Sequence, residues 1–206
     1  EQDDQEADDL IASVVARMVR QGHKVVIVSG DKDLMQLVSP QVNLWDPMND
    51  RIMDEAAVQE KYGLPPSSLL DYFALTGDSS DNIPGVPGIG PKSAQKLIVE
   101  HGDLEGLYRG IDGLKPSKNV QQIRDHRDAA FLSRDLVRLN TAAEVPADID
   151  RYRIVSPDVE QLRGLLTELE FYSLLKEEAP AAKIATSHFH LVRNEEELDT
   201  LARQFS

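Results

Sequence analysis

The stretch Asp78-Ser79-Ser80-Asp81-Asn82-Ile83-Pro84-Gly85-Val86-Pro87-Gly88-Ile89-Gly90-Pro91-Lys92 constrains this chain more than any other. Two carboxylates run directly into a glycine-rich hairpin that opens a helix, so a cation site abuts an anion site. Gly85, Gly88 and Gly90 permit a tight turn with no Cβ in the way of an approaching ligand. Pro91 suits the first helical position, and the pattern continues as helix through Ile98 to a stop at Gly102. Unpaired N–H groups at such a helix start, with Lys92 beside them, can hold a phosphate. Paired aspartates ahead of a glycine hairpin and Pro-Lys point to a phosphodiester backbone beside a metal.

A net charge of −14 over 206 residues has the wrong sign for a polyanion binder until it is divided along the chain. Residues 1–83 carry 16 acidic and 6 basic side chains, giving −10, and residues 135–206 carry 14 and 8, giving −6. Between them, residues 84–134 carry 8 basic and 6 acidic side chains, giving +2, so the hairpin lies in the one segment that is not acidic. Carboxylates that hold divalent metal would offset part of the remaining charge. The absence of cysteine excludes disulfides and cysteine-ligated zinc, and it suits a cytoplasmic protein. No signal peptide and no apolar run long enough to span a membrane is present, so no membrane role is expected.

The first third of the chain reads as α/β. Leu10, Ile11, Val14, Val15, Met18 and Val19 recur at helical spacing up to Gly22. Val25-Val26-Ile27-Val28 is a continuous apolar run, as expected of a buried parallel strand, and a short helix through Leu34 and Leu37 follows. Residues 43–46 and 51–53 read as strands around an Asn49-Asp50 turn, and residues 54–62 and 67–75 as helices. From Ser80 onward the pattern is mostly helical, with helices near 104–108 and 118–132, a strand at 136–139 and a helix from Pro157. Arg124, Arg127 and Arg134 follow helical spacing as a solvated face, while Lys115 and Lys118, in a loop, have the better claim to a phosphodiester backbone. Residues 177–187 read as a polar linker, and residues 188–206 as one strand and one helix that open a further domain.

Three acidic clusters stand apart in this sequence: Glu6, Asp8 and Asp9; Asp31 and Asp33; Asp78 and Asp81. Each has a bland reading on its own, as helix-start acidity or as a turn in which Asp accepts a backbone hydrogen bond. Asp31 and Asp33 fall just past the carboxyl end of a parallel strand, where open α/β sheets place their ligands. Together, hard carboxylate ligands suit Mg²⁺ or Mn²⁺, and two such ions can clamp a phosphodiester.

These three motifs and the hairpin resemble, in order and spacing, the 5′ nuclease domains of bacterial DNA polymerase I, members of the flap endonuclease family. Ala74-Leu75-Thr76-Gly77-Asp78 and Tyr62-Gly63-Leu64-Pro65 also fit, and the resemblance runs from about Glu6 to Leu175. It implies a partial parallel-sheet nuclease core over residues 1–79. A mostly helical helix-hairpin-helix DNA-binding region, with closing elements, follows over 80–176. It implies metal-dependent cleavage at 5′ ends or flaps of duplex DNA during replication and repair. By motif match, Glu6 and Asp8 hold a first metal with Asp9 nearby, Asp31, Asp33 and Asp81 hold a second, and Asp78 is an additional carboxylate. The hairpin grips one DNA strand through Gly88, Gly90, Lys92 and Lys96, with a hydroxyl contact from Ser93. The carbonyls of Gly85, Val86 and Ile89 would share a K⁺ with a DNA phosphate.

The resemblance also carries an absence. The family's first strand, two earlier metal-binding aspartates and the arch that threads the 5′ end would all precede Glu6. A fragment that binds duplex DNA weakly, cleaves little, and belongs with the remainder of a polymerase chain is therefore expected. Two other readings compete. Val25–Asp33, followed later by Gly77-Asp78-Ser79-Ser80-Asp81, loosely resembles haloacid-dehalogenase-type phosphatases, a reading that leaves Glu6–Asp9 and the hairpin unexplained. A noncatalytic DNA-binding module would use the hairpin alone.

Overall fold

The computed structural model describes residues 5–178 and Arg203, in two compact units, Glu1–Tyr152 and Arg153–Ser206. In the first unit the order is α1 (Ala7–Arg20), β1 (Val25–Val28), β2 (Val42–Asp46), β3 (Arg51–Met53), α2 (Glu55–Tyr62) and α3 (Leu69–Thr76). It continues with α4 (Pro91–His101), α5 (Leu104–Gly110), α6 (Lys118–Asp125) and α7 (Arg127–Val137). The second unit holds α8 (Val159–Glu168) and α9 (Tyr172–Glu178). A 3₁₀ turn over Asp33–Leu37 takes the place of the short helix expected after β1. The architecture is thus an α/β part followed by a helical part.

Sequence-encoded caps set many of these boundaries. The Asp54 side chain accepts the Ala57 N–H at the start of α2, and Gly63 ends that helix in the left-handed region at φ 67°. Asp103 and Ser117 cap α5 and α6 in the same way, while Gly90 and Pro91 open α4. The strand order is β1-β2-β3, with β1 parallel to β2 and β2 antiparallel to β3. Ile27, Leu44 and Met53 share a register row and are buried. On the opposite face Val26, Val28 and Ile52 are each about 60 % exposed. The expectation that β1 is buried on both faces is therefore not met, because helices cover only one side of the sheet among the described residues.

α3 is the centre of the core. Leu69, Tyr72, Phe73, Ala74 and Leu75 are all buried. Tyr62, Tyr72 and Phe73 meet edge-on with ring centroids 5.4–5.9 Å apart. Three further expectations need correction. The helix expected over 118–132 is two helices broken at His126, where the Gln122 carbonyl accepts both the His126 backbone N–H and its Nδ1. Residues 136–139 are not a strand, because α7 runs through Val137 and buries it. The three arginines are not one solvated face. Arg134 is largely buried and pairs with Asp71 of α3 and Glu105 of α5, Arg127 stacks on Tyr108 and Phe131, and Arg124 pairs with Asp112. α9 extends through Glu178, so the first two residues of the expected linker are helical. The rest of that linker and the strand and helix expected beyond it lie outside the described residues.

The segment between α3 and α4 is held by a close backbone approach. A Cβ on Gly85 would lie 2.5 Å from the Gly77 nitrogen, and one on Gly77 would lie 2.7 Å from the Ile83 carbonyl oxygen. Both glycines have positive φ, 68° at Gly77 and 60° at Gly85. The missing Cβ at Gly85 therefore serves packing against Gly77 and not the approach of a ligand, whereas Gly88 and Gly90 face open space. The Gly85 N–H donates to the buried Ser133 hydroxyl of α7 at 2.9 Å, and the Val86 N–H donates to the Leu75 carbonyl. Gly85→Ala is expected to cost about 3 kcal/mol or more. Gly88→Ala, at a positive φ but without a clash, is expected to cost only about 1 kcal/mol. Urea unfolding of the two variants reads the difference, and equal costs would contradict the account.

Candidate metal centre and hairpin

Carboxylates from four separate parts of the chain line one cavity of about 640 Å³. They are Glu6, Asp8 and Asp9 at the start of α1, Asp31 and Asp33 after β1, Asp81 after α3, and Asp135 of α7. Asp33, Asp78 and Asp81 each offer an oxygen within 4.8 Å of the others. Their placement follows from local structure. The Asp33 N–H donates to Asp31 Oδ1 at 2.8 Å, and the Asp31 N–H donates to the Ser29 hydroxyl at 3.0 Å. The turn-forming role of Asp31 is thus real, and it coexists with a place on the cavity wall. Asp78 and Ile83 exchange both backbone hydrogen bonds, at 3.0 and 2.7 Å, which closes the loop that carries Asp81.

The carboxylates differ in how their charge is met. Asp78 has an ion pair with Lys32, and its other oxygen accepts the Ser80 hydroxyl and N–H, both at 2.8 Å. The Lys32 hydrogen bond, followed by those from Ser80, pulls the Asp78 carboxyl down to about 2. Asp33 behaves oppositely. Burial, then the negative charge of Asp31, pushes its carboxyl up to about 6, with only Lys32 acting against them. Asp8 is also raised, by burial first and then by Asp31, so charges from α1 and from the loop after β1 meet here. Asp9 is occupied differently: its Oδ1 accepts the Asn140 N–H at 2.8 Å, which ties α1 to the chain leaving α7. Hard oxygen donors, crowded and only partly compensated, are a fitting donor set for divalent cations.

The hairpin residues lie outside this cavity. Gly88, Gly90, Lys92 and Lys96 are exposed, while the side chains of Val86 and Ile89 are buried and anchor the turn to the core. Lys96 pairs loosely with Glu100 at 3.8 Å. Ser93 and Lys96 line a second cavity of about 220 Å³ together with Lys115 and Asn119, and the Asn119 side-chain amide donates to the Ser93 hydroxyl at 3.5 Å. Lys118 does not line it, and it is not a loop residue as expected but the first residue of α6, capped by Ser117. Sequence reasoning missed Lys32 as the partner of Asp78, and missed Asp135 and Arg138 of the cavity wall. Lys32, between Asp31 and Asp33, was the one local signal available.

Residues 1–63 match the 5′-3′ exonuclease N-terminal resolvase-like domain, and residues 64–160 match the 5′-3′ exonuclease C-terminal SAM fold. The chain belongs to the 5′-3′ exonuclease family. Among its relatives, the DNA polymerase I of Rhizobium leguminosarum is 44 % identical over 176 residues, 85 % of this chain and 17 % of that protein. A 5′-3′ exonuclease of Aquifex aeolicus is 38 % identical over 172 residues, 84 % of this chain and 58 % of that protein. The chain therefore spans a fifth or less of the polymerase and little more than half of the exonuclease. A bacteriophage T5 flap endonuclease, solved with DNA and metal ions, superposes with a TM-score of 0.60 at 28 % identity. That match covers 66 % of this chain and 50 % of the T5 chain. The family membership removes the phosphatase reading of Asp31 and Asp33. Among the described residues no helix is long and apolar enough to cross a membrane.

The raised carboxyl of Asp33 has a pH consequence. Its folded value of about 6 lies above its ordinary value, so the fold favours the protonated form. The associated stability is complete below about pH 4 and is lost as pH rises through about 6. In metal chelator, Asp33→Asn is expected to exceed the wild type by about 1 kcal/mol at pH 7, a figure reduced for partial solvent screening, and to match it near pH 4. Urea unfolding at the two pH values measures this, and a constant difference would refute it.

Proposed function

We propose that this chain supplies part of a two-metal 5′ nuclease that hydrolyses phosphodiester bonds at 5′ ends or flaps of duplex DNA. The setting is the replication and repair work of a DNA polymerase I-type protein. The observation that carries the reading is the convergence of Asp8, Asp31, Asp33 and Asp81 on one cavity, with charge that Lys32 only partly offsets. Relatives named for DNA polymerase I and for 5′-3′ exonuclease support it, as does the fold shared with a flap endonuclease bound to DNA and metal ions.

Within that reading, Glu6 and Asp8 serve one Mg²⁺ or Mn²⁺, and Asp31, Asp33 and Asp81 serve a second. Such ions lower the pKa of bound water and stabilise charge on the phosphoryl oxygens. Asp9 and Asp78 act mainly by orientation, since Asp9 fastens the Asn140 backbone and Asp78 holds Lys32. Lys32, so held, keeps one ammonium within the acidic cluster and limits repulsion before metal arrives. The hairpin supplies the grip on a DNA strand. Its open side at Gly88 and Gly90 leads into the start of α4, where Lys92 adds charge and Ser93 a hydroxyl. The carbonyls of Gly85, Val86 and Ile89 are the proposed seat of K⁺.

Binding of a labelled 5′-flap duplex, with and without Mg²⁺ and across a salt series, tests the reading. Affinity is expected to fall steeply as salt rises, and Gly88→Asp is expected to weaken it tenfold or more, by placing a carboxylate where the backbone must pass. Binding at low salt that ignores the substitution would remove the hairpin from the proposal. No binding at all would leave the chain as a scaffold piece.

A further inference from the structure

Arg138 is the one cationic residue lining a cavity whose wall also carries seven carboxylates, and it makes no ion pair among the described residues. A guanidinium so placed would ordinarily be taken up by one of those acids. Its backbone is instead fastened on both sides. The Gln36 side chain donates to the Val137 carbonyl at 3.1 Å, and Val137 is buried. Leu139 packs on the core, and the Asn140 N–H donates to Asp9. The Ser13 hydroxyl then donates to the Asn140 carbonyl at 3.0 Å and accepts the Ala143 N–H at 2.9 Å. The helix ends there: Arg138 has the extended backbone of a C-cap residue, at φ −70° and ψ 118°. A long exposed side chain is thus carried on a rigid base at the rim of the proposed metal centre.

We infer that Arg138 is a positioning residue that binds a phosphodiester of the DNA strand entering the acidic cavity. The inference rests on the nuclease reading above. With cations held by the carboxylates, the cavity can accept an anion, and a planar guanidinium matches two phosphate oxygens at once. Without cations the surrounding acids repel the phosphate, and the guanidinium has nothing to hold. The contact at Arg138 therefore depends on metal, whereas that at Gly88 and Gly90, which do not line the acidic cavity, does not.

The test compares the wild type with Arg138→Ala, Arg138→Lys and Gly88→Asp. It measures binding of a labelled 5′-flap duplex in Mg²⁺ and in EDTA across a salt series, with thermal unfolding and Mn²⁺ titration of each protein. Arg138→Ala is expected to weaken binding roughly tenfold in Mg²⁺ and to lower the salt slope by about one. In EDTA it should leave binding unchanged. Arg138→Lys should keep the slope and recover part of the affinity. Gly88→Asp should lose binding in both conditions, and neither Arg138 variant should change the unfolding temperature or Mn²⁺ affinity. Unchanged binding of Arg138→Ala in Mg²⁺, beside a loss in Gly88→Asp, would overturn the inference and leave the nuclease reading standing. An equal loss in Mg²⁺ and EDTA would overturn it too, as would tighter Mn²⁺ binding with unaltered DNA affinity, which would make Arg138 only a counter-charge. If Gly88→Asp also binds normally, the hairpin grip fails with it.

Discussion

The contact between Gly77 and Gly85 governs the geometry of everything that bears on function here. Two backbones meet where neither can carry a Cβ, and the chain between them is forced into a small closed loop. That loop presents Asp78 and Asp81 on the side of β1, and its exit leads straight into the hairpin that opens α4. The loop proposed to bind metal and the turn proposed to grip a DNA backbone are thus fixed relative to each other by one steric fact. Neither element needs a large core of its own. The hairpin borrows rigidity from Val86 and Ile89, which are buried, and from the hydroxyl of Ser133.

The acidic cavity is built on unequal compensation. Lys32 follows Asp31 directly in sequence but serves Asp78, some 46 positions away, and is also about 6 Å from the Phe73 ring. Asp78 consequently stays fully ionised, while Asp33 is left with burial and the charge of Asp31 against it. One partnered and one unpartnered acid within the same 4.8 Å cluster is what a site for an exchangeable cation requires. Complete internal pairing would close the site, and no pairing would cost the metal-free fold more stability than it can spare.

Much of this was legible in the sequence, and the failures share a cause. Helix caps, the glycine hairpin and the three acidic motifs are local signals, and Asp54, Gly63, Pro91 and Asp103 sit where local chemistry requires them. Spacing could mark Asp31, Asp33 and Asp81 as ligand types, but their meeting depends on tertiary packing. Asp135 and Arg138 carry no local signature, because an acid and a base near a helix end are ordinary surface residues until α7 is placed. The run Val25–Val28 looks buried on both faces, yet only its period-two alternation against one helical layer is realised. Arg124 lies on α6 and Arg127 and Arg134 on α7, so their apparent common face is broken at His126.

α7 then acts as the strut that makes separate signals into one site. Its Ser133 hydroxyl takes the hairpin N–H, and its Arg134 joins α3 to α5 through ion pairs with Asp71 and Glu105. Its end is fixed by Gln36 from the segment after β1 and, through Asn140, by Asp9 and Ser13 of α1. The carboxylates at the start of α1, those after β1 and those after α3 therefore all lean on the same helix. A change on its inner face would be felt at the acidic cavity and at the hairpin together, although the two are lined by different residues. The division between the acidic cavity and the hairpin is in this sense chemical only; mechanically the two rest on one helix.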